Sequence, residues 1–260
     1  MDKKELQNPA LYTNRELSWL LFNKRVLSEA RDKQLLLFER LKFLSITASN
    51  LDEFFMVRIG SLVDMIHAEY TKKDIAGMSA KEQLDALMEE THKFAALQYS
   101  TYNRMLLPQL RANGLNFVEH HEQLTERQAQ YVDEYFEENV YPVLTPMAVD
   151  SSRPFPLIRN KTLNIGALVA KKGEKDTEIE FATVQVPSVL PRVVRIPAAK
   201  EGDTEVAVLL LEEIIERNIS KLFLNYNVLC AHPFRITRNA DLAIDEDEAC
   251  LLYTSPSPRD

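Results

Sequence analysis

The sequence predicts an α+β protein, with an all-helical N-terminal domain followed by a mixed α+β domain. Three observations predict it. Apolar residues recur at helical spacing to about residue 115, Pro142, Pro146, Pro154 and Pro156 then fall within fifteen residues, and from Leu163 the apolar period becomes two. With 260 residues, 45% hydrophobic and 27% charged, the chain has a soluble globular composition and room for two ordinary domains.

Taken in order, Asn14 caps a first helix that runs to about Ala30. Its Leu17, Trp19, Leu20, Leu21, Phe22, Val26 and Leu27 cover so much of the circumference that a central, buried helix is expected. Leu35 to Ile46 reads as a second helix. It leads into a polar corner, Ser49-Asn50, where either residue caps a third helix from Leu51 to Tyr70. Asp52 or Glu53 then falls at the third helical position, which makes a capping box with either cap. On that helix Asn50, Phe54 and Arg58 stand at i, i+4 and i+8, so an amide, a ring and a guanidinium share a stripe able to hold a ligand. A fourth helix spans Lys81 to Leu110 and stops at Asn113-Gly114. Thr125, boxed with Gln128, opens another to about Asn139.

Beyond the prolines, Leu163 to Val169 and Phe181 to Val186 alternate across a polar turn and predict a hairpin. Val193 to Ile196 and Val228 to Ile236 read as further strands, around a helix from Glu205 to Phe223. The domains are therefore set at 1–115 and 116–249. Residues 250–260 break from an acidic helical pattern into a Ser/Pro tail and are left out of the fold as an artefact; a genuine flexible terminus is the alternative.

Composition limits the function. No apolar run reaches the roughly 18 to 20 residues of a membrane span, and Met1 to Leu6 is too polar for a signal peptide. A cytoplasmic protein is expected, with peripheral contact at the inner membrane face as the only membrane role. Two cysteines, Cys230 and Cys250, fit a reducing compartment. A net charge of -8 argues against non-specific nucleic-acid binding, but residues 151–200 carry nine basic and four acidic side chains. Arg153, Arg159, Lys161, Lys171 and Lys172 in that stretch are either a solvated surface or a polyanion contact.

Scattered glycines exclude a P-loop or a Rossmann turn. Cys230 and His232 lack a second ligand pair and read as a buried Cys and a structural His, while His120-His121 reads as a solvated loop, so no metal site is expected. Asn50 carries two readings. It is a plain cap, or its paired donor and acceptor meet an adenine edge, since the Asp52 and Glu53 charges argue against phosphate at that helix start.

These stretches strongly resemble the polyphosphate kinase family, which makes inorganic polyphosphate from ATP through a phosphohistidine. The matching blocks are 14–30, 35–62, 140–164, 184–192 and 232–249, in the family's order. The resemblance implies a helical N-terminal domain and an α+β head domain used for dimerisation, hence a homo-oligomer with ATP/ADP and polyphosphate as partners. Asn50, directly before LDEF, matches the family's ATP-contacting Asn. The family's phosphorylated His, its partner His and the Mg²⁺-associated arginines belong to further domains that have no match here. The chain is accordingly expected to be an N-terminal fragment, inactive by itself, with no catalytic residue and with Mg²⁺ bound outside it. The alternative is a non-catalytic nucleotide-sensing or dimerisation module.

Overall fold

The structure, a computed structural model, describes residues 7–149, 158–173 and 179–240. Packing separates the described chain into two units. One takes the described parts of 1–29, 42–97 and 238–260, and the other takes 30–41 and the described parts of 98–237.

The first unit is helical. Helix α1, Arg15–Arg31, starts where expected because Asn14 Oδ1 accepts from the amides of Glu16 and Leu17 at 3.0 Å. The Asn14 amide in turn donates to Asp74 at 2.7 Å and Gln83 at 2.8 Å, so the cap is itself pinned. The expectation of a wholly buried helix fails, since Leu21 and Phe22 are 56% and 48% exposed. Counting apolar residues does not resolve faces: Leu20, Asn23 and Leu27 are the buried stripe, with an amide in its middle.

The polar corner at 49–50 is a second correction. Helix α2 runs unbroken over Leu37–Phe54, so neither Ser49 nor Asn50 caps anything. Thr47 is fully buried and donates back to the Leu44 carbonyl at 2.6 Å, which lets a hydroxyl sit inside a helix. A π turn, Phe55–Ile59, and helix α3, Gly60–His67, continue directly from α2. In the π turn the Gly60 amide bonds to Phe55, and the Met56 carbonyl accepts from Ala240 at 2.9 Å instead. Helix α4, Ala80–Thr101, completes the unit's core of Leu20, Phe54, Ile59, Leu62, Ala80 and Leu87.

The second unit is α+β. A second π turn, Tyr102–Leu106, takes up the chain just before Pro108, and helix α5, Leu107–Ala112, ends as expected at Gly114, whose φ is +79°. Strand β1, Leu115–Phe117, is not signalled by any periodicity. Helix α6, Glu126–Tyr135, opens on the expected Thr125–Gln128 box and passes into a π turn, Phe136–Val140. Next come β2 (Pro146–Val149), β3 (Leu163–Lys171), β4 (Ile179–Gln185), β5 (Val193–Ile196), β6 (Val206–Leu210), helix α7 (Leu211–Arg217) and β7 (Tyr226–Arg235). One sheet has the order β1-β6-β5 with β1 parallel to β6, and the other, antiparallel, has the order β2-β4-β3-β7.

The hairpin is as expected, with Ile165 opposite Val184 and Ala167 opposite Ala182, all four buried. The helix expected over 205–223 is corrected: its first part is β6, paired on both edges, and only Leu211 onward is helical. Cys230 is exposed on the edge strand β7 and the His232 ring is 79% exposed, which corrects their reading as buried and structural. Residues 241–260, with the acidic pattern and the tail, lie outside the described residues. Among the described residues no helix is long and apolar enough to cross a membrane.

Candidate functional site

The helical unit has a cavity of about 220 Å³ lined by Trp19, Phe22, Asn50, Glu53, Phe54, Val57 and Arg58. The three residues expected to share a stripe therefore do meet on one cavity, although for a different reason. In an ideal α-helix a residue eight positions on lies about 80° past two full turns. The wider π turn between Phe54 and Arg58 unwinds the helix and reduces that drift.

The floor is aromatic. Trp19 of α1 stacks on Phe54 of α2 with centroids 4.4 Å apart and planes 10° from parallel, and Phe54 is only 2% exposed. The polar wall is an amide relay. Asn50 Nδ2 donates to Asn23 Oδ1 at 3.1 Å, and Asn23, fully buried, donates to the Thr47 carbonyl at 3.1 Å. An amide nitrogen carries two hydrogens, so Asn50 retains a donor and its oxygen for a ligand while the relay fixes its orientation. At the third wall, Arg58 is 44% exposed and lies 3.8 Å from Glu16, a carboxylate that Arg15 also holds at 2.6 Å. Arg58 and Val57 line a second cavity of about 400 Å³ as well, where Arg15, Lys72 and Lys73 add positive charge and Glu16 and Asp74 negative.

Sequence reading missed Trp19, Phe22 and Asn23 as members of this site and assigned the two aromatics to a core. The available signal was Asn23, an amide inside an apolar helix, which needs a buried partner.

The basic stretch is divided. Arg159 and Lys161, the latter at φ +61°, line a cavity of about 590 Å³ at the start of β3, together with Arg192. Arg192 is already engaged by Glu212 at 2.5 Å, whereas neither Arg159 nor Lys161 has an ion pair among the described residues. Lys171 and Lys172 stand at the far end of the same strand, where Lys172 donates to the Leu224 carbonyl at 2.9 Å. Arg153 lies outside the described residues.

Of His120-His121, His120 is solvated as expected, its side chain 66% exposed, but His121 is not. The His121 ring is 19% exposed and its Nδ1 lies 3.2 Å from Glu213.

Fold and cavity together define a helical domain with an aromatic and amide-lined cavity, followed by an α+β domain with a separate cavity lined by cationic side chains. Residues 12–118 match the model of the polyphosphate kinase N-terminal domain and 127–255 that of the polyphosphate kinase middle domain. The polyphosphate kinase of Lactiplantibacillus plantarum is 48% identical over 93% of this chain and 33% of its own length. That of Halalkalibacterium halodurans is 47% identical over 94% and 34%. The crystal structure of polyphosphate kinase from Porphyromonas gingivalis superposes with a TM-score of 0.77 at 31% identity, covering 90% of this chain and 34% of that one. The chain belongs to the polyphosphate kinase family and carries its N-terminal and middle domains. It spans about a third of the length of the curated relatives it matches.

Proposed function

We propose that this chain forms the ATP-contacting and dimerising part of a cytoplasmic polyphosphate kinase. That enzyme reversibly transfers the terminal phosphate of ATP to inorganic polyphosphate through a phosphohistidine. The N-terminal domain, 1–115, holds the base of ATP, and the α+β domain, 116–249, is the head through which two copies pair. Mg²⁺ and the phosphorylated His act outside this chain, which by itself transfers no phosphate.

One observation carries the reading. Asn50 lines a cavity beside Trp19, which is backed by the buried Phe54 ring stacked against it, with its amide oriented by Asn23 and with a donor and an acceptor to spare. That is the complement of an adenine edge above an aromatic surface. Asn50 is not needed to start a helix, so beyond its bond to Asn23 its amide is left to the cavity. Arg159 and Lys161 support a polyanion contact on the head domain.

Asn50→Ala is expected to weaken ATP binding while the fold stands. Losing one or two base hydrogen bonds costs roughly 1 to 3 kcal/mol, about ten- to a hundredfold in affinity. Calorimetric titration of ATP into wild type and variant checks it, with circular dichroism to confirm folding. An unchanged affinity in a cooperatively folding variant would reject the base contact.

A further inference from the structure

The α+β unit gathers imidazoles and carboxylates at a place the ATP reading does not use. Glu213, on α7, is 12% exposed, and its Oε2 accepts from the His121 backbone amide at 3.0 Å and faces His121 Nδ1 at 3.2 Å. Two bonds from one residue fix the orientation of that carboxylate. Its other oxygen lies 3.9 Å from His120 Nδ1. Glu122 completes the group, because one ligand atom each from His120, Glu122 and Glu213 lie within 4.8 Å of one another.

A separation of 3.9 Å is too long for a hydrogen bond. It does suit two ligands of one ion. Donors about 2.1 Å from a shared Zn²⁺ stand roughly 3.4 Å apart at the tetrahedral angle and about 4.2 Å apart when opposed. His120 and Glu122 are 66% and 71% exposed, so their ends can close the remaining distance against the fixed Glu213, with Glu122 leaving its 3.5 Å contact with His121 Nε2.

We propose that His120, Glu122 and Glu213 bind a divalent transition-metal ion of the Zn²⁺ type, with His121 as the positioning residue that holds Glu213. One neutral imidazole with two carboxylates cancels the ion's charge and leaves a position for water. The imidazole favours Zn²⁺ over Mg²⁺ or Ca²⁺, which prefer all-oxygen sets. His121 does for Glu213 what outer hydrogen-bond partners do at protein metal sites, fixing the ligand oxygen before the ion arrives. Glu216 also lies on α7, but it faces His232 at 3.4 Å and stays outside the set.

The test is calorimetric titration of ZnCl₂ into the untagged chain at neutral pH, with folding of each variant checked by circular dichroism. One ion per chain is expected. His120→Ala and Glu122→Gln should abolish it, and as exposed side chains they leave the fold intact. His121→Phe should weaken it roughly ten- to a hundredfold. His232→Ala should bind as wild type does, and excess Mg²⁺ should not compete. Absence of binding in wild type, unchanged binding in folded His120→Ala, or loss in His232→Ala alone would each overturn the proposal.

Discussion

In the helical unit, Phe54 is at once the centre of the core and the floor of the cavity. In the α+β unit, Phe136, Leu209, Ile214 and Ile215 are fully buried, while Arg159, Lys161, His120 and Glu122 stand outside that core. The helical core is also the smaller of the two. A small core that lends its aromatic surface to a ligand couples stability to binding, whereas a core shielded by two sheets leaves its surface chemistry free to vary.

The largest expected effect tests that coupling. Phe54→Ala and Phe136→Ala each delete a fully packed ring and should each cost roughly 3 to 5 kcal/mol. Only Phe54→Ala should also weaken ATP at concentrations of denaturant where the variant remains folded. Paired denaturation and ATP-titration curves check this. Equal losses of ATP affinity in the two variants would break the comparison.

How far the sequence announced this architecture differs in the same way between the units. Asn14, the Thr125–Gln128 box and the hairpin were legible because caps and period-two alternation are local. The unbroken α2 was not. Ser49 and Asn50 resemble a helix start, and only long-range partners, Asn23 for the Asn50 amide and Ala240 for the Met56 carbonyl, show why the helix continues. Strand β6 was misread because Val206 to Leu210 is apolar on both faces, which period alone cannot tell from a buried helix. Its pairing with β1 and β5 decides the matter. Of the candidate site, Asn50, Phe54 and Arg58 were legible as a stripe. Trp19 and Asn23 came from another helix, and no spacing along one segment reports that.

Trp19→Ala comes next in size. Trp19 is half-buried and loses its stack on Phe54, so its cost should fall below the full aromatic truncation, at about 2 to 3 kcal/mol. Its effect on ATP should nevertheless match that of Phe54→Ala, because the two rings line the same cavity and hold one another in place. A thermal midpoint equal to wild type would place Trp19 outside the core, and a normal ATP affinity would place it outside the site.

The smallest effect concerns acid and the α+β unit. Asp133 of α6 receives two hydrogen bonds from Arg217 of α7, at 2.8 and 2.9 Å, and they hold its carboxyl below the usual carboxylate range. Arg217 is correspondingly pushed up by the same hydrogen bonds. A carboxyl depressed in the folded state contributes stability that is present in full above its unfolded value, near 3.9, and is lost as pH falls through the lower folded value. Both side chains are partly exposed, at 37% and 28%, so solvent screening keeps the contribution within about 1 kcal/mol. Asp133→Asn should therefore lower the thermal midpoint slightly at neutral pH, and the gap from wild type should close as pH drops below about 4. Phe54→Ala should show no such convergence, because a ring has no proton to gain. A gap for Asp133→Asn that stays constant through the acid range would mean that packing, not charge, ties α6 to α7.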